Sequence, residues 1–264
     1  MTLKNRTALV TGSTQGIGLA IAQALAQEGA NIVLHGIEEA GQGEAISTDL
    51  ATRFGVQAAY VRANLAKAEE AEQLVAVASQ ALGAPDILVN NAGIQYTCGI
   101  ESFPAERWDA ILAVNRAAFP PPPPPPRPPR PRARQGGGPL PPPPFPPPLG
   151  SGHKGAYLAA KHGLVGLSKG VALETATQGI AVNCICPGWT DTPPPPPPPP
   201  PPPRPRPGPR GAPGGGGGWV GGETTTPNPP SPRRAWARPA LLRGGAAARF
   251  PGGPLPVDGG WTAQ

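Results

Sequence analysis

Proline lacks a backbone N–H and locks φ, so it does not belong inside a helix or a central strand. Of the 44 prolines in this 264-residue chain, only Pro85, Pro104 and Pro187 lie outside two segments, 120–150 and 193–256. Taken literally, Pro120–Pro126 stops a helix just after Phe119. Pro193–Pro203 reads as a polyproline II rod rising about 3 Å per residue. Helices and strands are therefore expected in 1–119 and 151–192, with the sheet missing its strand in 120–150. The charge has the same origin. The net +6 contains 12 Arg and one acid, Glu223, from the two segments, which leaves the remainder at −5. A mildly acidic body removes the usual reason to expect a nucleic-acid partner.

Outside those segments, apolar strands alternate with helical stretches. Strands are expected at 6–10, 31–34, 57–62, 86–90 and 180–186, and helices at about 17–27, 38–54, 67–82, 105–119 and 155–178. Such alternation implies right-handed crossovers and a parallel sheet, a doubly wound α/β domain of Rossmann type. A single domain of this size buries a substantial core. The N-terminus runs directly into a strand, with no signal peptide and no spanning segment, so a cytoplasmic location is expected and no membrane. Cys98, Cys184 and Cys186 have no metal-ligand spacing and read as free thiols. His35, His153 and His162 also lack ligand spacing and read as structural; no metal is expected.

The first strand leads into Thr11-Gly12-Ser13-Thr14-Gln15-Gly16-Ile17-Gly18 and then a helix. A glycine turn in that setting lets backbone N–H groups approach a pyrophosphate at a positive helix end. Gly12, Thr14, Gln15, Gly16, Ile17 and Gly18 are the expected contacts. Residues 35–38, His-Gly-Ile-Glu, should lie near the adenosine ribose. They offer no Arg or Lys to neutralise a 2′-phosphate, which favours NAD over NADP. Tyr157 and Lys161 stand four apart on one helical face. An ammonium beside the phenol favours phenolate and is expected to lower its pKa, giving a general acid/base for hydride-transfer chemistry.

With Asn90-Asn91-Ala92-Gly93, Asn115 and Pro187-Gly188, these motifs resemble the short-chain dehydrogenase/reductase family over about 1–119, 151–192 and 257–264. Gly93-Ile94-Gln95, Ala159-Ala160-Lys161-His162-Gly163, Ile185-Cys186-Pro187-Gly188-Trp189 and Val257-Asp258-Gly259-Gly260-Trp261 are similar to its bacterial D-3-hydroxybutyrate dehydrogenases. The resemblance implies that Tyr157 takes the hydroxyl proton and that Lys161 binds the nicotinamide ribose. It implies that Asn115 holds a relay water, and that Asn64, Leu65, Asn91, Ala92, Gly93, Pro187 and Gly188 join the cofactor contacts. It further implies that Gln95 and Lys154 bind the carboxylate of a small hydroxy acid, that Trp189 and Trp261 wall the substrate, and that the assembly is a homotetramer. Each has a bland alternative: Lys154 as a solvated loop lysine, Gln95 as a loop amide, Trp189 as packing, and Asn115 as a group satisfying backbone.

Two departures stand out. The family's catalytic serine, thirteen before the tyrosine, falls at Pro144, and a substrate-contacting histidine falls at Pro146. Spacing between the flanking motifs is close to the family's, so the segments replace family sequence. Pro, Arg, Gly and Ala have codons made only of G and C, as a GC-rich gene read out of frame would yield. Two other functions compete: a different short-chain reductase, such as a 3-oxoacyl reductase, or a binding scaffold whose Pro128-Pro129-Arg130-Pro131-Arg132 engages aromatic grooves.

Overall fold

The computed structural model describes residues 3–116, 136–140, 153–175, 180–187 and 254–257. In chain order the elements are β1 (Thr7–Val10), α1 (Gly16–Gln27), β2 (Asn31–Gly36), α2 (Ala40–Phe54), β3 (Ala58–Arg62), α3 (Ala68–Leu82) and β4 (Ile87–Val89). There follow a 3₁₀ turn (Ile100–Ser102), α4 (Ala105–Arg116), β5 (Gly136–Leu140), α5 (Gly155–Glu174), β6 (Ala181–Pro187) and β7 (Pro254–Val257). Strands β3-β2-β1-β4 form one parallel ladder and β5-β6-β7 a second. β5 lies alongside β4. This is the expected doubly wound α/β fold.

The alternation of β1 and β2 explains why helices cover both faces. Successive strand residues point to opposite sides. Ala8, Val10, Ile32 and Leu34 pack against Ile21, Ala22, Leu25 and Ala26 of α1 and Leu50 of α2. Their neighbours Leu9 and Val33 pack with Val61, Ala63 and Leu65 against Leu74 and Ala78 of α3. Burying a side chain such as Leu9 stabilises the fold by about 1.5–3 kcal/mol. At the far end of β1, Arg6 Nη1 meets Asp86 Oδ1 at 2.8 Å while Asp86 Oδ2 accepts the Thr7 N–H at 3.0 Å. That clamp sets the register of β1 beside β4.

One expectation fails. A strand does form inside 120–150, at Gly136–Leu140, the stretch where a single proline, Pro139, interrupts a glycine run. Its register against β6 shifts between Gly136 and Pro139, and no ladder joins it to β4 among the described residues. The break in the sheet thus falls at the proline-rich slot, as missing N–H groups require. β7 tolerates Pro254 and Pro256 for a different reason. It is the end strand of its ladder, and prolines two residues apart can both turn their missing N–H toward the open edge. Among the described residues no helix is long and apolar enough to cross a membrane.

Candidate active site

The glycine loop leaves β1 with Gly12 and Gly16 at φ +59° and +58°, a left-handed region that glycine enters without strain. Asn91, two residues beyond β4, locks the loop from the side. Its Nδ2 donates to Thr11 O at 3.0 Å and to Gly12 O at 2.9 Å. Thr11 Oγ1 in turn accepts the backbone N–H groups of Asn91 and Ala92 at 2.9 and 3.0 Å. A Cβ on Gly18 would strike Gly12 O and Asn91 Nδ2, and one on Gly12 would meet Ala92 Cα at 2.9 Å. The loop and the Asn91–Gly93 turn are therefore packed backbone to backbone. Gln15 at the start of α1 makes no side-chain cap hydrogen bond among the described residues, which leaves the surface at the helix N-terminus without a side-chain acceptor for its first N–H groups. That surface fits a pyrophosphate.

Lys161 from α5 and Asn115 from α4 converge at the same turn. A Cβ on Gly93 would lie 2.7 Å from Asn115 Oδ1 and 3.3 Å from Lys161 Nζ. Asn115 Nδ2 donates to Ile94 O at 3.0 Å and to Ile111 O at 2.8 Å. Its Oδ1 is buried and has no hydrogen-bond partner among the described residues. The amide thus does satisfy backbone groups, yet it keeps an acceptor aimed into the site, where a buried unpaired oxygen is costly unless something donates to it. Lys161 Nζ lies 5.5 Å from the centre of the Tyr157 ring.

The expected fall in the phenol pKa is not found. Burial pushes Tyr157 up from 10.0 to about 12. Burial also brings Lys161 down from 10.5 to about 8, with Cys184 acting weakly in the opposite direction. The sequence places the two groups on one face but says nothing of solvent, and burial penalises both charged forms, the phenolate and the ammonium. A stability profile follows. Between pH 8 and 10.5 the unfolded chain holds a proton on Lys161 that the folded protein has released, so stability rises with pH there. This contribution is fully present above 10.5 and is lost as pH falls through about 8. Tyr157 acts oppositely between 10 and 12. Thermal unfolding midpoints should therefore climb from pH 8 toward 10 and fall beyond it. Lys161→Met should flatten the climb; a climb that survives the substitution belongs to another group.

The remaining expected residues divide into three groups. Thr14 is buried, with Oγ1 donating to Glu38 Oε1 at 2.8 Å; Gln15 is exposed just ahead of α1. Asn64 turns inward on its own loop, its Oδ1 accepting the Ala66 N–H at 3.0 Å, and Leu65 is core. These two can offer a ligand little beyond backbone and the outer amide. Gln95 is exposed on the loop after Gly93, and Lys154 stands at the head of α5, one turn before Tyr157. Pro187 ends β6, whereas Gly188, Trp189, Trp261, Pro144 and Pro146 lie outside the described residues.

Sequence reasoning missed how Glu38 and Arg62 are used. Glu38 folds back over Gly36 onto Thr14, with Oε2 buried and without a hydrogen-bond partner among the described residues. Tyr60 Oη donates to the backbone oxygen of Glu38 at 2.9 Å. Arg62 grips the same loop through Ile37 O and Glu39. The signal available was the acid two residues past the end of β2.

The short chain dehydrogenase family profile matches residues 6–119 and 149–195. A D-beta-hydroxybutyrate dehydrogenase from Cupriavidus necator is 44% identical over 200 residues, covering 72% of this chain and 73% of that protein. One from Rhizobium meliloti is 41% identical over 197 residues, covering 71% and 72%. In fold, the chain is similar to a short chain dehydrogenase from Burkholderia cenocepacia solved in complex with NADP. That match has a TM-score of 0.71 and 23% identity over 98% of each chain.

Proposed function

Since the chain belongs to the short-chain dehydrogenase family, oxidoreductases that use a nicotinamide dinucleotide, we propose that it interconverts D-3-hydroxybutyrate and acetoacetate with NAD. The observation that carries the chemistry is the meeting of Lys161 Nζ and Asn115 Oδ1 at Gly93, beside the glycine loop. The names of the two relatives above 40% identity support the substrate.

The nicotinamide, when bound, accepts the hydride from the substrate carbon or returns it. The protein handles the proton. Tyr157 gives its hydroxyl proton to the carbonyl oxygen in reduction and takes it back in oxidation. With the phenol near 12 and Lys161 near 8, both stand protonated at neutral pH, the state that reduction of acetoacetate consumes. Oxidation should gain with alkaline pH. Lys161, buried to 3% exposure, reaches the dinucleotide side of the site, and Asn115 Oδ1 accepts from a relay water.

Glu38 favours NAD over NADP. A carboxylate oxygen beside Thr14 that has no partner among the described residues accepts a ribose hydroxyl and repels a 2′-phosphate. Arg62, the nearby cation, is engaged with Glu39 at 2.9 Å. Tyr157 and Lys161 share one face of α5, and Lys154 is the residue just ahead of that helix, three positions before Tyr157. That short separation along the chain supports a role for Lys154 in holding the carboxylate of a short hydroxy acid. Lys154→Ala should raise the KM for D-3-hydroxybutyrate roughly tenfold or more and leave that for NAD unchanged. Equal saturation by wild type and variant would return Lys154 to the solvated surface.

The deciding assay follows NADH formation with D- and L-3-hydroxybutyrate, and NADPH oxidation with a 3-oxoacyl thioester. D-Selective turnover with NAD supports the proposal. Turnover confined to NADPH and the thioester would make the protein a 3-oxoacyl reductase instead.

A further inference from the structure

His35 is the last residue but one of β2, fully enclosed at 2% exposure, and it is bonded on both ring nitrogens. Nδ1 lies 3.1 Å from the Gly12 N–H, and Nε2 lies 3.1 Å from the carbonyl oxygen of Ala63. An N–H can only donate and a carbonyl can only accept. The ring must therefore be neutral, with its proton on Nε2. Its backbone is tied to the same loop. His35 N donates to Ser13 Oγ at 3.0 Å, Ser13 N donates to His35 O at 2.9 Å, and Ser13 Oγ donates to Val10 O at 2.7 Å. One imidazole thus spans from the turn that would cradle the pyrophosphate to the residue just before Asn64 and Leu65.

We propose that His35 is a positioning residue, whose neutral Nε2–H form holds the glycine loop and the end of β3 at the spacing the dinucleotide needs, making cofactor binding acid-sensitive. This rests on the dinucleotide reading of the loop. Protonation at Nδ1 sets N–H against the Gly12 N–H, so the loop loses its acceptor and Gly12 is left unpaired or must move. Burial holds the ring below its ordinary 6.5. Among the groups packed around it, the glycine loop carries no charge and Arg62 on β3 is engaged with Glu39. Glu38, on the loop after β2, is the charge that acts on the ring, and it pulls the pKa up less than burial pushes it down. Binding should therefore be constant above pH 6.5 and weaken below it, as the ring takes up its proton.

The test titrates NADH binding by fluorescence between pH 5 and 8 on the full-length protein, His35→Asn and His35→Leu, with circular dichroism as a check on folding. Asparagine Oδ1 can accept the Gly12 N–H but cannot be protonated. Near-wild-type affinity at pH 7.5 with a flat acid limb is expected for His35→Asn. His35→Leu should bind roughly 10–100-fold more weakly at every pH, because Gly12 loses its acceptor. A second readout needs no cofactor: long-range ¹⁵N–¹H spectra of labelled imidazoles should show His35 protonated on Nε2. His162, whose Nδ1 faces Leu158 O at 2.9 Å, should show the opposite tautomer. A proton on Nδ1 of His35, or an acid limb in His35→Asn that matches wild type, overturns the proposal. If no form binds NADH at any pH, it is the dinucleotide reading that fails; the tautomer then still decides whether His35 braces the loop.

Discussion

Tyr157→Phe should lower turnover by about 10²–10⁴-fold while leaving NADH binding unchanged. The substitution removes one oxygen from a ring whose place is set by α5 and by the Lys161 side chain beside it, so the fold has no reason to respond. Asn115 Oδ1 is an acceptor with no proton of its own, and Lys161 Nζ lies against Gly93, on the side of the glycine loop. Single-turnover absorbance at 340 nm with saturating NAD separates chemistry from binding. A variant that keeps more than about a tenth of the rate would mean that Lys161, or a group outside the described residues, moves the proton.

Gly18→Ala should reduce NADH affinity by roughly 100-fold or more and lower the thermal midpoint. The new methyl would fall on Gly12 O and within 2.5 Å of Asn91 Nδ2. Neither can yield cheaply. Gly12 is held at φ +59°, and Asn91 bridges it to Thr11 through two hydrogen bonds. Relief must come from moving the loop off the start of α1, which carries the N–H groups that would hold a pyrophosphate. Clashes of this kind cost about 1–3 kcal/mol each in a packed interior. The control is Gly163→Ala on α5, where a Cβ meets nothing within 4 Å among the described residues. There alanine should leave binding intact and stabilise the helix by up to about 1 kcal/mol. Isothermal titration and differential scanning on the pair check both statements; equal NADH affinity in Gly18→Ala and wild type would show that the loop does not hold the dinucleotide.

What the sequence determined by itself was whatever depends on local period and spacing. Alternation in Ala8-Leu9-Val10 and Ile32-Val33-Leu34 sends one set toward α1 and α2 and the other toward α3, and that suffices to predict a doubly wound sheet. The glycine turn after β1 and the four-residue step from Tyr157 to Lys161 were legible for the same reason. The tertiary structure decided the properties that depend on solvent exclusion and on partners far along the chain. Burial reversed the expected shift of Tyr157. Packing of α4 satisfied one end of the Asn115 amide and left the other without a partner among the described residues. Glu38 reached Thr14 across 24 positions, and His35 joined Gly12 to Ala63 across 23 and 28. A histidine's spacing to other ligands says nothing about these bonds. They exist because parallel strands bring the C-terminal ends of β1, β2 and β3 side by side, where one ring can reach two backbones and water cannot compete.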